Sequence, residues 1–299
     1  MSRDQHSNEP DLDDRTECSP AQVPEHTTWD LSNDSRPVRP GDVRERPAID
    51  DSARAYYLRD QSFLLRESEF TTLVEIGKFR VIPANDLAQF GYAGDSTRMN
   101  RDIHHLIQQG LVVAKSAKSA GKDPGRLLVL TKKTKRLLLQ SGRLPEGQVI
   151  YHGLVKPREA KHDAALYRLY QRESARIESA GGRPLRIALD YELKRNLHRE
   201  LSKLGDQGES RKARELIAEK QGLVLVNDQV QVPDLRLEYE TADHEPRHVD
   251  LELATRNYRP RALAQKAKAG FSIYAPREDA SKLRRIFDES ELTARIFSL

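Results

Sequence analysis

Three acidic residues stand in two neighbouring apolar segments of the chain. Asp234 opens one segment, and Asp250 and Glu252 lie two residues apart in the next. Residues two apart share one face of a strand, and acids within strand-forming segments are costly to bury without a compensating charge. Ligand sets made only of oxygen favour Mg²⁺ or Mn²⁺. If the two segments pair through a turn, the pattern predicts a metal site formed by all three carboxylates.

A non-catalytic arrangement of the same acids is also compatible with the sequence. Asp250 and Glu252 would then form solvated ion pairs with arginines across an antiparallel edge. The arginines within reach are Arg236, Arg247 and Arg256. At this point both interpretations remain open.

The segments around the acids alternate between strand and helix patterns. The stretch "PREAKHDAALYRLYQRESARIESAG" predicts a helix with Leu166, Leu169 and Ala175 facing inward and Gly181 after its end. A strand, two charged helices and two strand segments follow, and the last of these segments carries Asp250 and Glu252. A helix, a strand, a last helix and a terminal strand complete the chain. This order predicts a mixed α/β sheet.

An earlier part of the chain reads as three helices followed by a hairpin. The first helix is predicted over 63–80 and the second begins near Pro83. The third follows a cap at Asp95 or Ser96 and stops at Gly110. Its core-facing stripe is predicted to contain Met99, Ile103, Leu106 and Ile107.

Basic residues follow this third helix. Six basic residues and one acid lie between Lys115 and Lys133, which favours a polyanionic ligand. Three helices and a basic hairpin resemble a winged helix-turn-helix domain, whose third helix enters the major groove while the hairpin contacts phosphates. The resemblance implies that double-stranded DNA is a partner. The implied groove contacts are Arg98, Arg101 and His105, and the implied phosphate contacts are Lys115, Lys118, Lys122 and Arg126. Such domains also serve as interaction modules, which remains the alternative.

Charge and composition divide the chain further. The whole chain carries +4, but residues 1–55 hold 13 Asp/Glu against 7 Lys/Arg, a balance of −6 that leaves +10 for residues 56–299. Few aliphatic residues and many prolines predict that residues 1–55 form a disordered acidic tail. Cys18 is the only cysteine, so an internal disulfide and a cysteine-built zinc site are excluded. Without a signal-like or membrane-length apolar stretch, the expected compartment is the cytoplasm, with no membrane partner.

The acidic segments resemble the PD-(D/E)xK nuclease superfamily. Its core is a helix followed by strands that carry Pro-Asp, then an acid and, two residues later, a lysine. Pro233 and Asp234 match the first element, and Asp250 takes the acidic position. The lysine position holds Glu252, which departs from the superfamily pattern.

From about Phe63 onward, the chain also resembles the replication-relaxation family of bacterial plasmids and mobile elements. The resemblance rests on the winged helix, "KHDAALYRLY", Pro-Asp, acid-x-acid and a lysine-bearing helix. It implies that Lys266 replaces the missing lysine, that Arg256 or Arg259 assists, and that His162 matches a family histidine. The implied catalytic residues are Asp234, Asp250, Glu252 and Lys266, and the three acids would also bind the metal.

These interpretations predict an α+β protein, with a winged helix-turn-helix domain before an α/β PD-(D/E)xK restriction-endonuclease-like domain. The predicted parts are an acidic tail (1–55), a winged helix (56–140), a linker (141–156) and a nuclease-like domain (157–299). The expected function is binding of plasmid or mobile-element DNA, with cleavage or nicking that uses Mg²⁺ or Mn²⁺. The alternative is a noncatalytic transcription or replication regulator whose nuclease-like domain only binds DNA or a partner. Homodimerisation is left open.

Overall fold

The protein has a mixed α+β architecture. The structure is a computed structural model that describes residues 52–59, 61–116, 125–153, 157–205, 210–255, 258–276, 279–281, 283 and 296–298. The predicted acidic tail lies outside the described residues up to position 51, and residues 53–55 belong to the first strand. Within the described ranges, no helix is both long and apolar enough to cross a membrane.

The first unit contains a two-stranded hairpin, four helices and a three-stranded sheet in the described residues. Its elements are β1 (Ala53–Leu58), β2 (Gln61–Arg66), α1 (Glu67–Lys78), β3 (Ile82–Pro83), α2 (Ala84–Gly91), α3 (Ser96–Gln108), β4 (Val112–Ser116), β5 (Arg126–Leu130) and α4 (Lys132–Gln140). The predicted first helix is therefore too long, because residues 61–66 pair with β1 as a strand. Phe63 and Leu65 are buried while Leu64 is exposed, which is a strand period of two.

Helix α3 begins and ends where the sequence predicts. The Asp95 side chain accepts a hydrogen bond from the Arg98 backbone nitrogen at 2.9 Å, which caps the first turn. Gly110 follows the helix with φ of +66°, a conformation that glycine adopts readily. The predicted core-facing stripe is buried except for Ile107, which lies at the edge and is 36% exposed.

The second unit is built around a mixed sheet. Its elements are α5 (Pro157–Ser179), β6 (Arg183–Leu189), α6 (Asp190–Lys203), α7 (Arg211–Lys220), β7 (Val224–Val226), β8 (Gln229–Gln231), β9 (Leu235–Glu240), β10 (Pro246–Leu253), α8 (Pro260–Lys268), β11 (Ser272–Ala275) and β12 (Ile296–Ser298). Among the described residues, the sheet order is β12-β11-β10-β9-β6. Strand β9 is antiparallel to both neighbours, whereas β10, β11 and β12 are mutually parallel.

The inner face of α5 differs in one position from the prediction. Leu166 and Leu169 are buried as expected, but Ala175 is exposed and Ile177 is buried in its place. Gly181 follows the helix with φ of +81°. Ala175 follows Leu166 by two and a half helical turns and so lies on the opposite side of the helix, whereas Ile177 continues the buried face.

The two units share a continuous hydrophobic core. The Tyr167 ring of α5 meets Phe79 and Phe90 of the first unit edge-on, with ring centroids 5.2 and 6.0 Å away. Arg168 also donates to Asp86 across the junction, at 2.8 Å. Helix α5 therefore packs against the first unit as well as against the sheet of the second.

The segment predicted as a linker is bonded to both units. The Gln148 amide group accepts from the backbone nitrogen of Ile187 in β6 at 3.1 Å and donates to the Ile187 carbonyl at 3.2 Å. The Tyr151 backbone nitrogen donates to the Gly77 carbonyl of α1 at 2.7 Å. Residues 154–156 lie outside the described residues. The described part of this segment is thus fixed in place by hydrogen bonds of the Gln148 side chain and of the Tyr151 backbone.

Candidate functional site

Two of the three predicted acids meet where β9 and β10 lie side by side. The register pairs Leu251 with Leu235, and its continuation by one residue brings Glu252 opposite Asp234. The Asp234 backbone nitrogen donates to Glu252 Oε2 at 3.3 Å, and the Leu253 backbone nitrogen donates to Asp234 Oδ2 at 2.9 Å. The two side chains therefore share one small polar cluster at the end of the strand pair.

Glu252 lies in the interior of this cluster, with only 1% of its surface exposed. Burial raises the pKa of its carboxyl group, the negative charge of Asp234 adds to the effect, and together they bring the pKa to about 7. Two groups oppose the shift: the Lys266 ammonium 3.3 Å from Oε2, and the Tyr258 hydroxyl, which donates to Oε1. Glu252 therefore holds a proton more readily than an exposed glutamate does.

Asp234 is held by a histidine from α5. His162 Nε2 lies 3.3 Å from Asp234 Oδ2, and His162 Nδ1 lies 3.5 Å from an oxygen of Asp163. Burial lowers the pKa of His162, but the hydrogen bonds and charges of both carboxylates outweigh it and bring the pKa to about 10. Burial conversely raises the pKa of Asp234, yet His162, the Leu253 N–H and the charge of Lys266 hold it below its usual value. The pair is therefore an imidazolium and a carboxylate at neutral pH.

Lys266 approaches the acids from α8. Its ammonium group donates to the Val232 carbonyl at 2.5 Å and lies 5.4 Å from the centre of the Phe271 ring. These contacts direct the side chain over the start of β9 and next to Glu252. The residue that the family resemblance singled out thus lies beside one of the two clustered acids. Arg256 lies outside the described residues.

Asp250 does not join the cluster. It faces the same side of β10 as Glu252, but both of its oxygens accept from Arg236 on β9, at 2.7 and 2.8 Å. Arg236 is buried and also donates to the carbonyls of Gln221 and Gly222, at 2.6 and 2.7 Å. The expected convergence of three carboxylates is therefore wrong, because an arginine opposite Asp250 engages it. Among the described residues, no three His, Cys, Asp or Glu side chains are grouped to hold a metal ion.

The residues predicted to enter a DNA groove differ in exposure. Arg101 is exposed, and its Nε donates to Asp102 at 3.0 Å. His105 is only half-exposed, because its Nδ1 lies 2.6 Å from an oxygen of Glu69, which is fully buried in α1. Arg98 lies in the first turn of α3 and is partly buried. The outer face of α3 is therefore anchored to α1 through His105.

Of the four residues predicted to contact phosphates, the structure describes two, which lie on β4 and β5. Lys115 and Arg126 are exposed on the two strands, and Arg126 donates to the side-chain oxygen of Asn100 on α3. Lys118 and Lys122 lie outside the described residues.

Two residues of this cluster, His162 and Tyr258, had no role assigned from the sequence. The family resemblance pointed to His162 without giving it a role, and no motif included Tyr258. The proximity of His162 to a carboxylate in the adjacent sheet depends on how α5 crosses that sheet. Residue spacing in the sequence does not specify how a helix crosses a sheet, so it could not predict this contact.

The fold and the cluster together define a mixed α+β protein with a largely buried site of two carboxylates, a lysine and a histidine. No model of a known protein family matches the chain, and no curated protein is similar to it.

The charge of His162 should make stability depend on pH. Its folded pKa of about 10 lies above its ordinary value of 6.5, so the bound proton stabilises the fold fully below pH 6.5 and the effect is lost as the pH rises through about 10. His162→Gln is therefore expected to destabilise the protein most at pH 6 and progressively less toward pH 10. Urea unfolding with a chelator present measures this difference. A difference that does not change with pH would contradict an ion pair among His162, Asp163 and Asp234.

Proposed function

We propose that this chain is a DNA-binding protein of the replication-relaxation type, from a plasmid or mobile element, whose second unit cleaves or nicks DNA with a divalent metal ion. The observation that carries the proposal is the juxtaposition of Asp234, Glu252 and Lys266 at the end of one strand pair. Perturbed pKa values in a cluster of acids and bases are characteristic of functional sites.

The order of elements supports both halves of this proposal. In the first unit, α1, α2 and α3 precede the β4–β5 hairpin, as in a winged helix-turn-helix domain. In the second unit, α5 precedes the strands that carry Pro233-Asp234 and Glu252, and α8 then carries Lys266. The acid opposite Asp234 is Glu252, so Glu252 rather than Asp250 takes the acidic position of a PD-(D/E)xK site.

The donor set fits a hard cation. Asp234 and Glu252 offer carboxylate oxygens, and burial together with the charge of Asp234 raises the pKa of Glu252. Mg²⁺ commonly uses one or two protein carboxylates and takes its other ligands from water and phosphate. When bound, such an ion would lower the pKa of a water and neutralise phosphate charge. Two acids therefore suffice, and Asp250 is not required.

The side chains around the two acids have separable roles. Lys266 would offer positive charge to the developing negative charge on the phosphate. His162 orients the Asp234 carboxylate through its Nε2 contact, and the Tyr258 hydroxyl does the same for Glu252. Removal of His162 would thus misplace a ligand without removing it.

A noncatalytic regulator is the second candidate, and the charge balance of the cluster favours it. Asp234 faces the His162 imidazolium and Glu252 faces the Lys266 ammonium, so each acid already has a cationic partner. Asp250 is likewise neutralised by Arg236. In such a protein the first unit would bind an operator while the second unit binds DNA, a partner or a second copy.

Metal-dependent cleavage of supercoiled plasmid distinguishes the two candidates. Purified protein is incubated with the plasmid in Mg²⁺, in Mn²⁺ or in a chelator, and the nicked and linear forms are quantified on a gel. The nuclease proposal expects nicking with either metal and none with the chelator. Mobility shifts of linear DNA without nicking under any metal condition would favour the regulator.

A further inference from the structure

A concave basic surface lies outside the candidate site and outside the residues assigned above to groove and phosphate contacts. Arg59 follows β1, and Lys132, Lys133 and Arg136 lie in the first turns of α4. Together with Leu58 and Gln61, these residues line a cavity of about 410 Å³. We call the four cations and the cavity between them the α4 basic surface.

Within the described residues, none of the four cations of this surface forms an ion pair with a carboxylate, so this part of the chain leaves their positive charge uncompensated. Lys133 instead donates to the Gln109 carbonyl at 2.8 Å and lies 4.9 Å from the centre of the Phe63 ring. The pKa of nearby His152 is lowered by burial and then by the charges of Lys135 and Lys132. The positive charge of this surface therefore also acts on His152.

The placement of these cations is also unfavourable for α4 itself. Lys132 and Lys133 are its first two residues, and its first turn contains no acid. A helix N-terminus carries a partial positive charge, so cations there destabilise the helix. An anion bound between Arg59, Lys132 and Arg136 would relieve both this repulsion and the repulsion among the side chains.

The surface continues from α3. The Lys133 ammonium contacts Gln109, which follows the last residue of α3, and Arg101, His104 and Gln108 are exposed along that helix. Helix α3 has 13 residues and is therefore about 20 Å long. A duplex presents roughly one phosphate charge per 1.7 Å of its axis. An extended polyanion that lies along α3 can therefore reach the α4 basic surface.

We propose that the α4 basic surface binds the phosphate backbone of double-stranded DNA, in addition to α3 and the β4–β5 hairpin. The continuity with α3 favours a duplex over a small anion, because a small anion would need no contact beyond the cavity. The proposal rests on the DNA binding of the proposed function, and it adds a set of phosphate contacts that neither the winged-helix resemblance nor the acidic cluster provides.

The salt dependence of DNA binding tests the proposal. The double variant Lys132→Gln/Arg136→Gln removes two cations from the surface, and Lys212→Gln/Lys220→Gln removes two exposed cations from α7 as a control of equal net charge. Binding of a labelled duplex is followed by fluorescence anisotropy in chelator over a range of NaCl concentrations. Each phosphate contact contributes about 0.9 to the slope of log K against log salt, so the α4 variant should lose about 1 to 2 units of slope. The control should keep the wild-type slope.

The outcomes separate this proposal from the nuclease proposal, because the assay contains no metal. Equal slopes for the α4 variant and the control would overturn the proposal and leave cleavage untouched.

Competition with inorganic phosphate provides a second arm of the test. If phosphate at a few millimolar displaces the duplex from the wild type more than chloride of equal ionic strength does, but not from the α4 variant, the surface is a small-anion site and the proposal fails. A wild type that binds no duplex would overturn the DNA-binding function as well. A thermal melt checks folding, and the α4 variant is expected to melt at the wild-type temperature or slightly above it.

Discussion

Asp234→Asn is expected to abolish metal-dependent nicking of supercoiled plasmid while leaving DNA affinity within about twofold of the wild type. The amide keeps the shape of the side chain, but it removes the charge that a metal ion would need and that the His162 imidazolium faces. The rate of nicking should fall at least about 100-fold, as when one preorganised electrostatic contact to a reacting centre is removed. Gel quantification of nicked plasmid measures the rate, and anisotropy measures the affinity.

Two further variants make this result specific. Glu252→Gln should give the same loss, since Glu252 is the acid opposite Asp234. Asp243→Asn makes the same chemical change in the exposed turn between β9 and β10 and should nick at the wild-type rate. Undiminished nicking by Asp234→Asn would remove Asp234 from the site, and the noncatalytic regulator would then be the better account.

Arg236→Met is expected to lower the free energy of unfolding by about 3–5 kcal/mol, the cost of leaving a buried charge without its partner. The side chains of Arg236 and Asp250 are only 7% and 11% exposed, so Asp250 would remain buried and unpaired. The carbonyls of Gln221 and Gly222 would also lose their donors. Urea unfolding followed by circular dichroism measures the change at neutral pH.

The control lies near the start of β10, the neighbouring strand that also carries Asp250. Arg247→Met breaks an ion pair with Glu245 whose side chains are 46% and 62% exposed, and it should cost less than about 1 kcal/mol. In the double variant Arg236→Met/Asp250→Leu, much of the lost stability should return, because no uncompensated charge remains. Equal costs for Arg236→Met and Arg247→Met would show that the buried pair is not a structural element of the sheet.

The sequence predicted local features of the fold well because their signals are local. The Asp95 cap and the glycine after α3 are decided within a few residues, and the structure contains both. Residues 63–66 were assigned to a helix because their apolar residues also fit a helical period. Their pairing with β1 overrides that pattern, and composition had assigned the first half of β1 to the tail.

The candidate site divides in the same way. Alternation along β10 correctly put Asp250 and Glu252 on one face, and the turn between β9 and β10 brought Asp234 opposite Glu252. The interaction that Asp250 makes depends on which residue lies opposite it on β9, and only the strand register shows which residue that is. Arg236 was considered as its partner, but in a solvated pair at an edge. The observed pair is buried because Gln221 and Gly222 cover the arginine.

Helix α5 has a mechanical consequence for the protein. Tyr167 of α5 packs between Phe79 and Phe90. About one turn earlier in the same helix, His162 contacts Asp234. If a bound ligand tilted the first unit, helix α5 would move with it and displace the His162 imidazole. Helix α5 also joins the two units. Cutting the chain between them would therefore remove the aromatic contacts of Tyr167 and leave each fragment with an incomplete hydrophobic core.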